Sequence, residues 1–339
     1  MMRSFTLLSF KRMAVSVILF LFPIHLFFIK IKNYFYDKNI ISPTKVCATV
    51  ISVGNISLGG TGKTPFVIAL SNFLVQRGKS VGVLTTGHGR KNSGSFLFKN
   101  QSVERAGDET LVLKKNLSSS IPIYVSKNKI LGSKKLVSLG CDTIVLDDAF
   151  QHRKIYRDID VVLIGPDELK KKNKKTFPWG ILREPFYNIG RADIVITNKV
   201  NLYKEGSYLK NSLSTNIEFE DEVLSINSGP TTIDELSRLK RVLSICGIGK
   251  PESFQKSLSR LNIQVEGKLI YPDHHNFTAK DVSDIVSVIE KNKIEAVVCT
   301  EKDAVKLVFF KEKINVPVYV VKLKHSLNKD IKDKFLCLL

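Results

Sequence analysis

No C-x-x-C pair occurs among the five cysteines, Cys47, Cys141, Cys246, Cys299 and Cys337. Their number is odd and several sit in apolar runs, which speaks against a disulfide framework. Reduced, buried thiols in a cytosolic compartment fit this usage. Zinc-finger spacings and aromatic RNA-binding motifs are also missing, so no nucleic-acid partner is expected. No small-residue cleavage site follows the apolar N-terminal run, against a secretory signal. Acidic residues are scarce: 32 Asp and Glu stand against 52 Lys and Arg, a formal net charge of +20. Such a surface suits anionic lipid or a phosphorylated substrate, although scattered lysine can equally be compositional. The densest basic run, Lys170 to Lys175, reads as a solvated loop.

What is present centres on residues 50–70, VISVGNISLGGTGKTPFVIAL. Val50 to Val53 is an apolar, β-branched run that predicts a buried strand. Gly59, Gly60, Thr61 and Gly62 form a glycine-rich turn, followed by Lys63 and Thr64. Pro65 is tolerated in a first helical turn, and Phe66, Ala69, Leu70 and Phe73 recur at helical spacing. Strand, glycine loop, Lys-Thr and helix together make a phosphate-cradling loop. Glycines let backbone N–H groups close on a polyphosphate, and the helix N-terminus adds partial positive charge. Lys63 would neutralise the β- and γ-phosphates, and Thr64 would offer its hydroxyl to Mg²⁺. The pattern G-x-x-x-x-G-K-[ST] is broken at its first position by Ser57.

The 339 residues suffice for two domains. Residues 14–29, AVSVILFLFPIHLFFI, carry no charge and are flanked by Lys11, Arg12, Lys30 and Lys32. As a helix they would span about 24 Å, short of a ~30 Å hydrocarbon core. A membrane anchor over 1–35, spanning or embedded, is the expectation; a buried core helix is the alternative. From 36 to 218, strands and helices alternate, which predicts a mostly parallel α/β sheet with ligands at the strand carboxyl ends. Residues 200–235 are polar and weakly periodic and read as a boundary. A second, smaller α/β domain is expected over 219–339.

Four further segments can carry chemistry. TIVLDDAFQHR (143–153) is a strand ending in Asp147 and Asp148, the form expected of a second Mg²⁺ element. AGDETLVL (106–113) puts Asp108 and Glu109 at a helix start, as dipole caps or as a general base on an acceptor hydroxyl. WGILREP (179–185) offers Arg183 to a transferring phosphoryl group, or to a structural ion pair with Glu184 or another carboxylate. YPDHHNF (271–277) offers His274 as half of a His–Asp dyad, or as a helix-start residue beside a capping Asp273. VITNKVN (195–201) nearly matches a guanine-reading N-K-x-D, but Asn201 replaces the decisive aspartate; ATP is preferred and the match reads as coincidence.

Taken in order, VGNISLGGTGKTP, AGDE, LDDAFQHR, LREP, CGIGKPESF, YPDHHNF and CTEKDAVK resemble the tetraacyldisaccharide 4′-kinase family of lipid A biosynthesis. In that family Ser57 is ordinary. The resemblance implies a phosphate-loop fold and a membrane-associated enzyme facing the cytoplasm on the inner membrane of a Gram-negative bacterium. It would use ATP and Mg²⁺ to phosphorylate the 4′-hydroxyl of tetraacyldisaccharide 1-phosphate, giving lipid IVA. Lys63 and Thr64 match the phosphate and Mg²⁺ pair, Asp108 the base and His274 its partner. Glu109, Asp147 and Asp148 match acidic positions tied to metal and nucleotide; Gln151, His152 and Arg183 match further site positions. Two departures stand out. Ala149 replaces a glycine, and Thr86 and His88 replace the arginine and tyrosine of S-R-G-Y-G. Two rivals remain: a partition-type ATPase, disfavoured by Leu58 where those proteins carry a lysine, and a non-catalytic basic membrane-binding protein.

Overall fold

The apolar strand before the glycine loop lies in the middle of a sheet. The computed structural model describes residues 26–90, 94–170, 174–202, 209–210 and 212–339. The first sheet contains β1 (Thr49–Gly54), β2 (Val81–Thr85), β3 (Phe96–Leu97), β4 (Ile123–Val125), β5 (Thr143–Asp147), β6 (Ile159–Ile164), β7 (Ile194–Asn198) and β8 (Leu213–Thr215). Their order is β3-β4-β2-β5-β1-β6-β7-β8. Every pairing is parallel except β3 with β4. This is the mostly parallel α/β sheet expected of a phosphate-loop fold. The helix Lys63–Gln76 covers one face, with Phe66, Leu70 and Leu74 fully buried at helical spacing. Each such burial is worth about 1.5–3 kcal/mol.

Residues 212–235 carry more regular structure than their polarity suggests. After β8 come β9 (Ile217–Glu218), β10 (Glu222–Ser225), β11 (Thr231–Thr232) and a helix, Ile233–Arg238, closed by a capping box from Thr232 and Glu235. The second sheet adds β12 (Val242–Cys246), β13 (Val265–Ile270), β14 (Ala296–Thr300) and β15 (Val318–Val321), ordered β11-β10-β15-β14-β12-β13. The chain then returns. β16 (Lys324–His325) pairs with β9, and the helix Lys329–Leu338 buries Ile331 and Phe335 in the core of the first sheet. The last residues of the expected 219–339 unit therefore pack on the first domain, because this amphipathic helix finds its apolar partner there.

The anchor expected over 14–29 lies mostly outside the described residues, as do 171–173 of the lysine run. The backbone is helical over 26–37, with Phe27 and Phe28 exposed. Among the described residues no helix is long and apolar enough to cross a membrane.

Candidate active site

The carboxyl ends of strands from both sheets meet at one cavity of about 180 Å³. From the first sheet come the glycine loop after β1, the turn after β2, Asp148 after β5 and Lys199 after β7. From the second come Gly249 after β12, His274 after β13 and Lys302 after β14. A larger groove of about 450 Å³ runs along the outer side of the helix Lys63–Gln76. Lacking Lys63, the acidic pair and His274, it is not the chemical centre.

Gly62 takes φ +84°, open to glycine, and a Cβ there would lie 2.6 Å from the Asn198 amide nitrogen. The helix that starts at Lys63 has no side-chain cap. Five other helices are capped by Asn128, Thr232, Thr278, Thr300 and Asn328. Its free N–H groups thus remain open to an anion. Lys63 lies 3.3 Å from Asp148, and Arg183 donates to both oxygens of Asp148 at 3.0 Å. Burial opposes the charge of Asp148, but these two cations hold its carboxyl well below the usual carboxylate range. Arg183 pairs here with Asp148; Glu184 instead accepts from Gln151, Asn188 and Arg191.

Ser57 is part of the architecture. Its hydroxyl donates to Glu168 at 2.8 Å, and Glu168 also pairs with Lys250 of the second domain. Ala149 is unstrained, because the left-handed residue of this turn is Asp148, with φ +50°. Aspartate tolerates that conformation better than most side chains.

The second half of the site spans the two sheets. His274 Nδ1 lies 2.9 Å from both carboxylate oxygens of Asp108. Lys306 donates to Asp108 at 3.2 Å, and Lys302 to Glu109 at 2.6 Å. Burial works against a charged Asp108, yet the His274 hydrogen bond and the charge of Lys302 hold it well below its ordinary value. Burial likewise opposes an imidazolium at His274, but Asp108 raises its pKa overall. The dyad alternative for His274 is thus realised as a contact between residues 166 positions apart.

Asp147 tests whether the residues present fit a cation. It is 1% exposed, and neither carboxylate oxygen has a hydrogen-bond partner among the described residues. Burial, with the charges of Glu109 and Asp148, pushes it up to about 7. An orphaned buried carboxylate beside Lys63 is what a divalent cation would relieve, so the donor set fits. No cluster of three His, Cys, Asp or Glu side chains that could hold a metal exists among the described residues.

Gln151 and His152 do not line the cavity. Gln151 donates to the Asn55 carbonyl and to Glu184, and its own carbonyl accepts from Lys32 on the 26–37 helix. Several residues of the site were not singled out from sequence. Asn198 donates to the Thr61 carbonyl, and buried Lys199 donates to Ser253 at 3.2 Å. Burial and the charge of Lys250 lower Lys199 to about 8. Asn198 of VITNKVN therefore braces the glycine loop, a role separate from the guanine-reading match, while Lys199 reaches Ser253. Lys129 donates to the Leu84 and Asp147 carbonyls, tying β2 to the acidic pair. The available signal was position, since Lys199 and Lys302 each follow closely on the end of a parallel strand.

The family model described as tetraacyldisaccharide-1-P 4′-kinase matches residues 16–339. A tetraacyldisaccharide 4′-kinase of Syntrophus aciditrophicus is 32% identical over 301 residues, covering 82% of this chain and 80% of the relative. One from Pseudoalteromonas atlantica is 35% identical over 282 residues, covering 82% and 85%. A crystal structure of LpxK from Aquifex aeolicus in complex with ATP aligns with a TM-score of 0.72 at 28% identity, over 95% of this chain and 98% of that one. Fold and loop define a phosphate-loop phosphotransferase. Within that class the chain belongs to the tetraacyldisaccharide 4′-kinase family, whose members transfer phosphate to a hydroxyl in lipid A biosynthesis.

Proposed function

We propose that this kinase moves the γ-phosphate of ATP to the 4′-hydroxyl of tetraacyldisaccharide 1-phosphate, with Mg²⁺, at the cytoplasmic surface of the inner membrane. The observation that carries this reading is the Asp108–His274 contact, which joins both domains beside the glycine loop. Backbone N–H groups at 59–64 and the uncapped helix receive the triphosphate, and Lys63 leaves Asp148 for it. Arg183 faces the charge that builds on the transferring group. Thr64, Asp147 and Asp148 would hold Mg²⁺, which neutralises phosphate charge when bound, while Glu109 is engaged by Lys302.

On the acceptor side, Asp108 accepts the hydrogen bond of the hydroxyl and orients it. The new oxygen–phosphorus bond forms as the bond to ADP breaks, and the proton passes to the Asp108–His274 pair. A carboxylate held this acidic is a weak base. Phosphoryl transfer through a loose transition state asks chiefly for alignment, so orientation is its main contribution.

An acceptor with four acyl chains stays in the bilayer. The apolar run 14–29, the exposed Phe27 and Phe28 and the net charge of +20 support work at an anionic membrane surface. Gln151 and His152 lie beside the 26–37 helix, where such a substrate would approach. The test incubates purified protein with labelled ATP, Mg²⁺ and the lipid acceptor. Labelled lipid is expected, with Lys63→Ala at least about a hundredfold slower. Folded protein that labels no lipid would contradict the proposal.

A further inference from the structure

His88 lies in the turn after β2, and its ring rests against His274 of the dyad. The His88 and His274 ring centroids are 4.5 Å apart, inclined at 56°. The turn that presents it is held from below. Gly87 and Gly89 take φ +64° and +79°, and the Gly87 amide donates to Thr85 Oγ1. A Cβ on Gly107 would come within 2.4 Å of the His88 carbonyl oxygen, so this turn is clamped to the residue just before Asp108. A Cβ on Gly89 would sit 3.6 Å from that of His274. Asp108 therefore grips one edge of the His274 imidazole while His88 covers a face. His274 also has φ +59°, so its backbone alone does not favour this pose. The His88 ring is exposed and lines the cavity, and among the described residues no hydrogen bond to it is recorded.

We propose that His88 is a positioning residue: its ring, rather than its nitrogens, keeps the His274 imidazole turned toward Asp108. The proposal rests on the reading that this pair acts on the acceptor hydroxyl. Aromatic faces in offset or tilted contact attract beyond simple burial, and a misplacement of about 1 Å at a reacting group can cost about a hundredfold in rate.

The test measures kcat, KM for ATP and KM for tetraacyldisaccharide 1-phosphate in the full chain. His88→Ala should lower kcat about tenfold, with KM for ATP within about twofold of wild type. His88→Phe and His88→Tyr should restore kcat to within about threefold, because each keeps a ring. In a His274→Ala background, His88→Ala should cost nothing more, since its effect passes through that imidazole. Wild-type kcat in His88→Ala, or an equal loss in the His274→Ala background, would overturn the proposal. So would a Phe variant as slow as Ala. Asp108→Ala separates the two failures: full activity there would sink the dyad reading itself, whatever His88 does.

Discussion

The glycine loop and the Asp108–His274 pair face one cavity but are built in opposite ways. The loop is contiguous, largely backbone, and set at the end of the central strand β1. The pair is assembled from two sheets, with residues 166 apart in sequence and a lysine, Lys306, behind it. The loop is laid down by one stretch of chain, with Gly249 of the second sheet packed against it; the pair exists only where the two sheets meet. A donor site made of contiguous backbone is set by local sequence, whereas an acceptor site built from two sheets depends on how those sheets are held against each other.

Glycines on the two sides allow the sharpest break in this comparison. Gly62→Ala and Gly107→Ala both force a side chain onto a positive φ, and both meet a near neighbour. Gly107→Ala should lower kcat about a hundredfold while ATP affinity stays within about threefold, because it displaces Asp108 and leaves the loop intact. Gly62→Ala should weaken ATP binding itself. Titration calorimetry beside steady-state kinetics reads both; matching profiles for the two variants would erase the distinction.

A smaller effect should come from Lys302→Met, which removes the 2.6 Å ion pair between Lys302 and Glu109 across the cleft. The expected loss is about tenfold in kcat, with Glu109 left partly buried and unpaired. Unchanged kinetics would show that this bridge does not help closure.

The smallest effect is on stability, behind the loop. Burial and the charge of Lys199 lower the pKa of His325 to about 3, against an ordinary 6.5. The unfolded chain binds that proton more readily than the folded one. Its cost is therefore absent above the ordinary value and grows as pH falls through it toward the folded one. His325→Gln should flatten the decline in Tm between about pH 7 and about pH 5. An undiminished decline would remove His325 from the account.

These two constructions also explain what the sequence disclosed. The loop, the strand ahead of it and the Asp147–Asp148 pair were legible because local spacing specifies them. Asp108 and His274 were legible as candidates, but their contact depends on how two sheets face each other, which no local pattern encodes. Lys306 and Lys129 look like any other lysine in a chain so rich in them; burial sets them apart, whereas Lys199 was marked only by its place after β7. The return of Lys329–Leu338 to the first core was hidden for a similar reason. An amphipathic helix announces that it packs, not against what. Ser57, off the general loop pattern though ordinary for the resembled family, has its role in the fold: it donates to Glu168, which in turn pairs with Lys250.

The most direct test compares ATP affinity and phosphoryl transfer to the lipid acceptor in Lys63→Ala and Asp108→Asn. The account predicts transfer lost in both, with ATP affinity lost in the first and retained in the second. An Asp108→Asn enzyme that loses ATP affinity as severely as Lys63→Ala would contradict the division into donor and acceptor halves.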